Sequence, residues 1–222
     1  IFIIAGVVLS TLHQSSLGTL MVIAGQKMHP LWQTPVLPLL FLLSAIAVGF
    51  PMIIFESLIA ARSFKLKPEM HILSKLGGMV APILGVYFAF KIGDLFISEE
   101  FKYLLKFDTN AFMYFGECVL TLTAFFMFLS RRVLNSPLLL FIASTLVIAG
   151  VLLNRINNFI VAYTPPYATE SYFPSFGEIS VTLGFVAMLV LAYRFIVLNF
   201  PVISLPVKPT TPKSKYTIRG VK

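Results

Sequence analysis

Six long apolar segments, separated by short polar connections, dominate the sequence. They cover residues 1–24, 36–60, 72–97, 110–130, 137–162 and 177–200. A helix needs about 20 mostly apolar residues to cross the hydrocarbon core of a bilayer, and each segment reaches that length. The pattern therefore predicts an all-α fold, a polytopic bundle of six transmembrane helices. Pro51 and Pro82 are interpreted as kinks inside two of these helices, because neighbouring helices in lipid can satisfy the freed carbonyls.

The composition supports a membrane protein and argues against other classes. Hydrophobic residues make up 58% of the 222 residues, charged residues make up 12%, and the mean hydropathy is +0.90. A soluble domain carries about 25% charged residues, so this chain has half of the usual charge. Cys118, the one cysteine, can form neither an internal disulfide nor a thiolate metal cluster. In a membrane protein the location of the charges matters more than their sum. The net charge of +8 is therefore no sign of a nucleic-acid partner, and none is expected.

The distribution of lysine and arginine predicts how the helices are oriented. The connections after the second and fourth segments and the tail 201–222 hold eleven of these residues, whereas the loops 25–35, 98–109 and 164–176 hold three. Cytoplasmic loops carry an excess of Lys and Arg in membrane proteins. The three poorly charged loops should therefore face outside, and the basic tail should lie in the cytoplasm. The eleven residues are Arg62, Lys65, Lys67, Lys75, Arg131, Arg132, Lys208, Lys213, Lys215, Arg219 and Lys222, and the three are Lys27, Lys102 and Lys106.

Five charged residues inside the segments are candidate functional residues, because charges at membrane depth are expensive. Glu117 and Arg155 are predicted to lie at matching depth and to form a pair. Lys91 and Asp94 share one helix face in i, i+3 spacing, nearer the outer surface. Glu56 lies near the cytoplasmic end of the second segment. One interpretation is structural ion pairs between helices, and the other is a hydrated proton path or a polar pocket.

The first segment carries a dense polar run. Helical spacing places Ser10, His13 and Gln14 on one row, with Ser15 beside it. His13 is expected near mid-membrane and could exchange protons near neutral pH beside a quinone headgroup. The alternative is that these side chains and the small residues around them hold the helix against a neighbour.

The histidines argue against a haem site. A transmembrane b-type cytochrome normally ligates its haem through paired histidines inside the bundle, but only His13 lies within a segment, while His29 and His71 lie in connections. The sequence also lacks the CxxC, P-loop and GxGxxG motifs. We therefore expect no haem and no metal in this chain, and any clusters should belong to partner subunits.

Two specific runs carry a resemblance to a known family. The first is Leu12-His13-Gln14-Ser15-Ser16-Leu17-Gly18-Thr19-Leu20-Met21, and the second is His29-Pro30-Leu31-Trp32-Gln33. Weaker pieces follow in the same order, at 48–50, 54–56, 93–95, 172–174 and 184–187. The chain, up to about residue 200, resembles the NrfD-like family of polysulfide-reductase-type membrane anchors, and within it the membrane subunits of respiratory nickel–iron hydrogenases.

The resemblance implies a haem-free subunit that passes electrons between the quinone pool and a ferredoxin-like iron–sulfur subunit docked outside, beside catalytic hydrogenase subunits. The quinone would be menaquinone or ubiquinone, and the location a bacterial or archaeal cytoplasmic (inner) membrane. Family members have about ten helices, so this chain resembles the C-terminal six. The related polysulfide reductase binds its quinone mostly in the N-terminal bundle, so a quinone would be held largely outside this chain.

The outer loops are the predicted docking surface for the iron–sulfur subunit. Their aromatic residues suit an interface core, although an ordinary aromatic belt at the membrane surface would have the same composition. The candidate docking residues are His29, Trp32, Tyr167, Tyr172 and Phe173.

The sequence therefore favours a quinone-interacting membrane subunit of a respiratory oxidoreductase, with hydrogenase as the first choice and with coupling to proton translocation open. Two alternatives remain at this point. One is an ion- or proton-translocating transporter subunit, which usually shows inverted repeats, and the other is a membrane anchor without chemistry.

Overall fold

A computed structural model of the chain describes residues 2–106, 108–164 and 174–200. The chain divides into two compact units, residues 1–172 and 173–222. The described residues are helical and include no strand; their one isolated bridge joins Met28 to Tyr163. The helices are α1 (Phe2–Ala24), α2 (Leu37–Ser63), α3 (Met70–Ile97), α4 (Phe101–Leu104), α5 (Thr109–Leu129), α6 (Arg131–Asn135), α7 (Pro137–Ile156) and α8 (Phe176–Asn199).

Six of the helices are long and apolar enough to cross a membrane, which confirms the predicted fold class. They are α1, α2, α3, α5, α8 and α7 extended to Val161. Both α2 and α3 continue through their internal prolines, Pro51 and Pro82, as predicted. The tail 201–222 lies outside the described residues, and the orientation of the helices in the membrane remains a prediction.

In the first unit, small residues allow helices to approach closely. A Cβ added at Gly18 of α1 would lie 2.8 Å from the Cα of Pro38 on α2. A Cβ added at Gly150 of α7 would lie 2.5 Å from Cγ2 of Thr121 on α5. Any larger side chain at either position would force the helices apart, because these contacts are with backbone or with a β-branched side chain.

The apolar core of the first unit packs α2, α3, α5 and α7 against one another. Its fully buried members include Ile54, Val80, Leu84, Phe128 and Leu140, whose exposed fractions are 0–1%. A second cluster lies where α1 and α2 meet their connecting segment, around Trp32 and Phe41. Hydrophobic burial between helices is not the driving force inside lipid, so close packing of this kind is what holds the helices together.

One end of the first unit is built from short irregular elements, and we call it the loop end: residues 25–36, 98–106, 108 and 157–164. It contains two 3-10 turns, Gly25–Lys27 and Pro30–Trp32, and the π-helix Asn157–Val161. The His29 N–H donates to the carbonyl of Ala162 at 2.8 Å, and the Thr164 N–H donates to that of Lys27 at 2.7 Å. These bonds hold the connection after α1 against the end of α7.

The second unit contains α8, which begins with a capping box. The Ser175 Oγ accepts from the backbone N–H of Glu178, and the Glu178 carboxylate accepts from the N–H of Ser175 at 2.8 Å. Such reciprocal capping satisfies two donors that the first turn of a helix leaves free.

Candidate functional site

A buried ion pair joins α3 to α5 in the interior of the first unit. The Lys91 ammonium on α3 pairs with the Glu117 carboxylate on α5, and the side chains are 8% and 1% exposed. Lys91 Nζ also donates to the Tyr87 hydroxyl at 3.3 Å and lies 4.8 Å from the ring centre of Tyr114. The cation is therefore surrounded by one carboxylate, one hydroxyl and two aromatic faces, which are groups that stabilise a buried positive charge.

Asparagine amides from α7 satisfy the rest of the Glu117 carboxylate. Asn154 Nδ2 lies 3.3 Å from both carboxylate oxygens, and Asn157 Nδ2 donates to Oε2 at 2.7 Å. A buried charge is tolerated only when its lone pairs find donors. Glu117 thus ties α3, α5 and the end of α7 into one polar network.

The π-helix that follows α7 begins with two neighbouring asparagines that are both buried. Asn157 and Asn158 are each 0% exposed, although adjacent positions of an α-helix point about 100° apart. The Asn157 amide serves Glu117 and the carbonyl of Met113, while the Asn158 amide donates to the carbonyl of Asn154 at 2.7 Å. Single π-helical turns inside helices are frequent at functional sites.

The predicted direct pair between Glu117 and Arg155 is wrong. Arg155 donates from Nη1 to Asn154 Oδ1 at 3.0 Å and from Nη2 to Ser44 Oγ at 2.8 Å, and its guanidinium stacks 3.6 Å from the ring centre of Phe41. Position 155 follows Asn154 on α7, so its side chain projects towards α2 rather than towards α5. Glu117 and Arg155 are nevertheless connected, because Asn154 contacts both.

The interpretation of Lys91 and Asp94 as a structural ion pair is also wrong, since Lys91 pairs with Glu117. Asp94 instead lines a small cavity of about 20 Å³ together with Lys91 and Glu100. Trp32, Tyr114, Asn154 and Asn158 form other parts of the wall. The cavity therefore lies between the Lys91–Glu117 pair and the loop end.

Two titratable groups of the loop end have shifted pKa values. Partial burial, with a smaller contribution from the negative charge of Asp94, raises the pKa of Glu100 to about 7. Burial also lowers the pKa of His29; Asp108 opposes this shift and Lys106 adds to it. Nδ1 of His29 accepts from the N–H of Leu31 at 3.3 Å, which requires an unprotonated nitrogen and agrees with a neutral ring.

The polar run of α1 lies apart from this network. Ser15 Oγ donates to the carbonyl of Pro38 at 3.2 Å, and Gln14 is half-buried, whereas Ser10 and His13 are exposed. Glu56 on α2 is exposed as well. The described residues thus bring Lys91, Asp94, Glu117 and Arg155 together but leave Ser10, His13 and Glu56 outside, and no observation tests the roles predicted for these three.

The candidate docking residues divide between the described and the masked parts of the chain. His29 is partly exposed and lies edge-on to Trp32 and Tyr103, with ring centres 5.9 and 5.6 Å apart. Trp32 is only 3% exposed and packs against Tyr114, so it supports the loop from beneath. Tyr167, Tyr172 and Phe173 lie outside the described residues, and docking at the loop end remains a prediction.

Sequence reasoning missed several members of the network: Ser44, Tyr87, Tyr114, Asn154, Asn157 and Glu100. Tyr87 lies one helical turn before Lys91, and this i, i+4 spacing was a readable signal. The asparagines were visible beside Arg155, and Asn154 and Asn157 share one helix face in i, i+3 spacing, but the sequence does not show that this face meets Glu117. Glu100 belongs to a connection, where carboxylates are common, and no sequence pattern marks its partial burial.

The arrangement can hold and move protons but offers no evident metal centre. Among the described residues, no group of three or more His, Cys, Asp or Glu side chains is placed to bind a metal ion. A larger apolar groove of about 470 Å³ lies between α3 and α5, and Arg131 is its one charged wall residue. The Lys91–Glu117 network is therefore the candidate functional site.

Comparisons with known proteins agree with the resemblance found in the sequence. Residues 1–166 match the family profile described as polysulphide reductase, NrfD. The chain is 32% identical, over 91% of its length and 52% of the relative, to the probable Ni/Fe-hydrogenase 2 b-type cytochrome subunit of Escherichia coli K12. It is 33% identical, over 90% of its length and 53% of the relative, to a protein of Nitratidesulfovibrio vulgaris Hildenborough.

The chain spans about half the length of these curated relatives. No solved structure matches it. The family profile covers well over half of the sequence, and the two relatives extend the similarity over nine-tenths of it. The chain belongs to the NrfD family of polysulphide-reductase membrane proteins and is a multi-pass membrane protein.

Proposed function

We propose that this chain is the quinone-linked membrane subunit of a respiratory oxidoreductase complex in a bacterial or archaeal cytoplasmic membrane. The preferred parent complex is a hydrogenase. The observation that carries the proposal is a buried Lys91–Glu117 pair, hydrogen-bonded to Tyr87 and to asparagines of α7 and its π-helix, in a chain similar to a hydrogenase membrane subunit. Intramembrane charges that face the interior of a helix assembly mark proton or ion pathways. Electrons would pass between an external ferredoxin-like iron–sulfur subunit and menaquinone or ubiquinone.

The role of this chain's own residues would be to supply or remove the protons that quinone chemistry requires. Reducing a quinone consumes two protons for two electrons, and these must come through groups that exchange protons. Glu117, Lys91 and the Tyr87 hydroxyl form a hydrogen-bonded row of such groups. His13, with Ser10, Gln14 and Ser15 beside it, and Glu56 would serve another part of the same path.

The described residues do not fit a quinone headgroup inside the network. The polar cavity of about 20 Å³ is too small for a ring, and the larger groove is apolar apart from Arg131. No step is therefore assigned to bound quinone within these residues. We propose that the headgroup is bound mainly in the half of the family's fold that these alignments do not cover.

A haem-free mechanism is part of the proposal. His13 is the single histidine in the interior of a spanning helix, while His29 caps a 3-10 turn and His71 is the second residue of α3. Two ligands from facing helices, as a membrane haem usually requires, cannot be chosen from these positions. Electron transfer would then be direct, from the iron–sulfur partner to quinone.

The proposal can be tested by measuring hydrogen-dependent quinone reduction by the complex purified with this subunit and without it. We expect deletion to abolish hydrogen-dependent quinone reduction but to leave hydrogen-dependent reduction of a soluble redox dye, because the dye takes electrons from the peripheral subunits directly. Quinone reduction that survives the deletion would contradict the proposal.

A further inference from the structure

Two residues that line the small cavity beside the ion pair each have a buried polar atom without a partner. The indole N–H of Trp32 and the side-chain oxygen of Asn158 form no hydrogen bond, although their residues are 3% and 0% exposed. Both residues line the cavity. Buried polar atoms in proteins almost always have a partner, either a protein atom or an ordered water. One atom is a donor and the other an acceptor, so a water in the cavity that reaches both atoms would satisfy both.

The size of the cavity matches that occupant. Its volume of about 20 Å³ exceeds the roughly 10–15 Å³ that one water needs, and it is far too small for an organic ligand. A third partner is available, because an ammonium group has three N–H donors. Lys91 uses two of them on Glu117 and Tyr87, and Lys91 itself lines the cavity.

Two carboxylates also line the cavity, Asp94 of α3 and Glu100 of the loop end. Asp94 and Glu100 complete its charged lining, so Lys91, Asp94 and Glu100 are its three charged residues. Glu100 is partly buried and directly precedes α4, where its side chain makes no capping hydrogen bond, while its neighbour Glu99 is exposed and pairs with Lys102. Of the adjacent carboxylates of Glu99 and Glu100, only that of Glu100 belongs to a residue that lines the cavity.

We propose that this cavity binds one water between Trp32 and Asn158, and that this water connects the Lys91–Glu117 pair to Glu100, through which the pair exchanges protons with solvent. The inference rests on the proposed function and identifies the route that serves its buried site. In the inward direction, the Lys91 ammonium gives a proton to the Glu117 carboxylate, the neutral amine that results takes one from the water, and Glu100 gives one to the water. The net result is one proton moved from Glu100 to Glu117, with the water and Lys91 unchanged.

The protonation behaviour of Glu100 suits this role. Its pKa of about 7 lets it gain and lose a proton at physiological pH, which an ordinary surface glutamate does not do. The charged groups around it are Asp94, which adds to the upward shift, Lys91 across the cavity, and the mutually paired Glu99 and Lys102 on its own segment.

The test measures hydrogen-dependent quinone turnover of the assembled complex from pH 5.5 to 8.5, with dye reduction and thermal stability as checks on assembly. We expect Glu100→Gln to lower turnover by about tenfold and to remove an inflection near pH 7, as loss of a proton-transfer group does. Glu100→Asp should keep a pH-dependent inflection. Glu99→Gln is the matched control and should behave as the unmodified complex. Trp32→Phe removes the donor to the water and should lower turnover while the inflection from Glu100 remains.

The outcomes separate this route from the proposed function. If Glu117→Gln slows quinone turnover but Glu100→Gln matches Glu99→Gln in rate and pH profile, the route through Glu100 is wrong and the proposed function stands. If Glu117→Gln also turns over at the normal rate, proton handling by the buried pair is wrong, and the route fails with it.

Discussion

Asn154 connects Glu117 to Arg155: its amide nitrogen lies 3.3 Å from both carboxylate oxygens, and its side-chain oxygen accepts from the guanidinium at 3.0 Å. Two opposite charges that do not touch are thus coupled through one neutral side chain. Hydrogen-bonded chains of this kind in a low-dielectric interior strengthen one another and lose more than a single bond when one member is removed.

The coupling between Glu117 and Arg155 should therefore depend on Asn154. We expect Glu117→Gln and Arg155→Gln to be non-additive by about 0.5–3 kcal/mol in the free energy of unfolding, as residues of one network are. In an Asn154→Leu background the coupling should fall close to zero. Unfolding of the variants in one detergent checks this, and a coupling that persists without Asn154 would point to direct interaction of the two charges.

Close packing of α5 and α7 should make Gly150 intolerant of a side chain. Gly150→Ala places a methyl group 2.5 Å from Cγ2 of Thr121, so we expect a loss of about 1–3 kcal/mol of stability. Thr121→Ser removes that methyl and should recover part of the loss. Gly49→Ala on α2, where an added Cβ meets no atom within 4 Å, is the control and should be neutral or slightly stabilising. Equal effects at the two glycines would contradict the packing.

Stability should fall in mild acid because of His29. Burial lowers the folded-state pKa of His29 below its usual 6.5, so below pH 6.5 the unfolded chain binds a proton that the folded chain resists. Its contribution to stability is present above pH 6.5 and is lost as the pH falls towards the folded pKa. His29→Asn keeps an acceptor for the Leu31 N–H and should flatten the melting temperature between pH 5 and 6.5. An unchanged profile would show that another group controls it.

The predicted orientation can be tested by labelling. The distribution of lysine and arginine predicts that residue 63, at the end of α2, lies in the cytoplasm and that residue 108 lies outside. In a Cys118→Ala background, an impermeant thiol reagent added to intact cells should label Asp108→Cys and not Ser63→Cys. The opposite pattern would invert the topology.

The sequence predicted the helices well because apolar length is a local property. All six predicted segments became helices within a few residues of the expected ends, and even the proline-containing α2 and α3 followed the pattern. The sequence drew attention to the charges inside these helices, and Lys91 and Glu117 form a buried pair, but the sequence did not predict the partners of these charges. Depth along a helix is readable at 1.5 Å per residue, whereas the direction in which Arg155 points depends on how α7 is rotated against α2 and α5. Apolar periodicity and helix propensity do not reveal that rotation.

The most direct test of the account asks whether the Lys91–Glu117 pair moves protons or only holds α3 against α5. Breaking a buried pair by removing one partner costs about 3–5 kcal/mol, whereas replacing both partners is often nearly neutral. The measurement is hydrogen-dependent quinone turnover of an assembled complex that carries Lys91→Met with Glu117→Gln. The account predicts that this double variant recovers the thermal stability lost in Glu117→Gln alone but still turns over quinone about 100-fold more slowly than the unmodified complex. Turnover that recovers together with stability would contradict it and leave the pair as a structural contact.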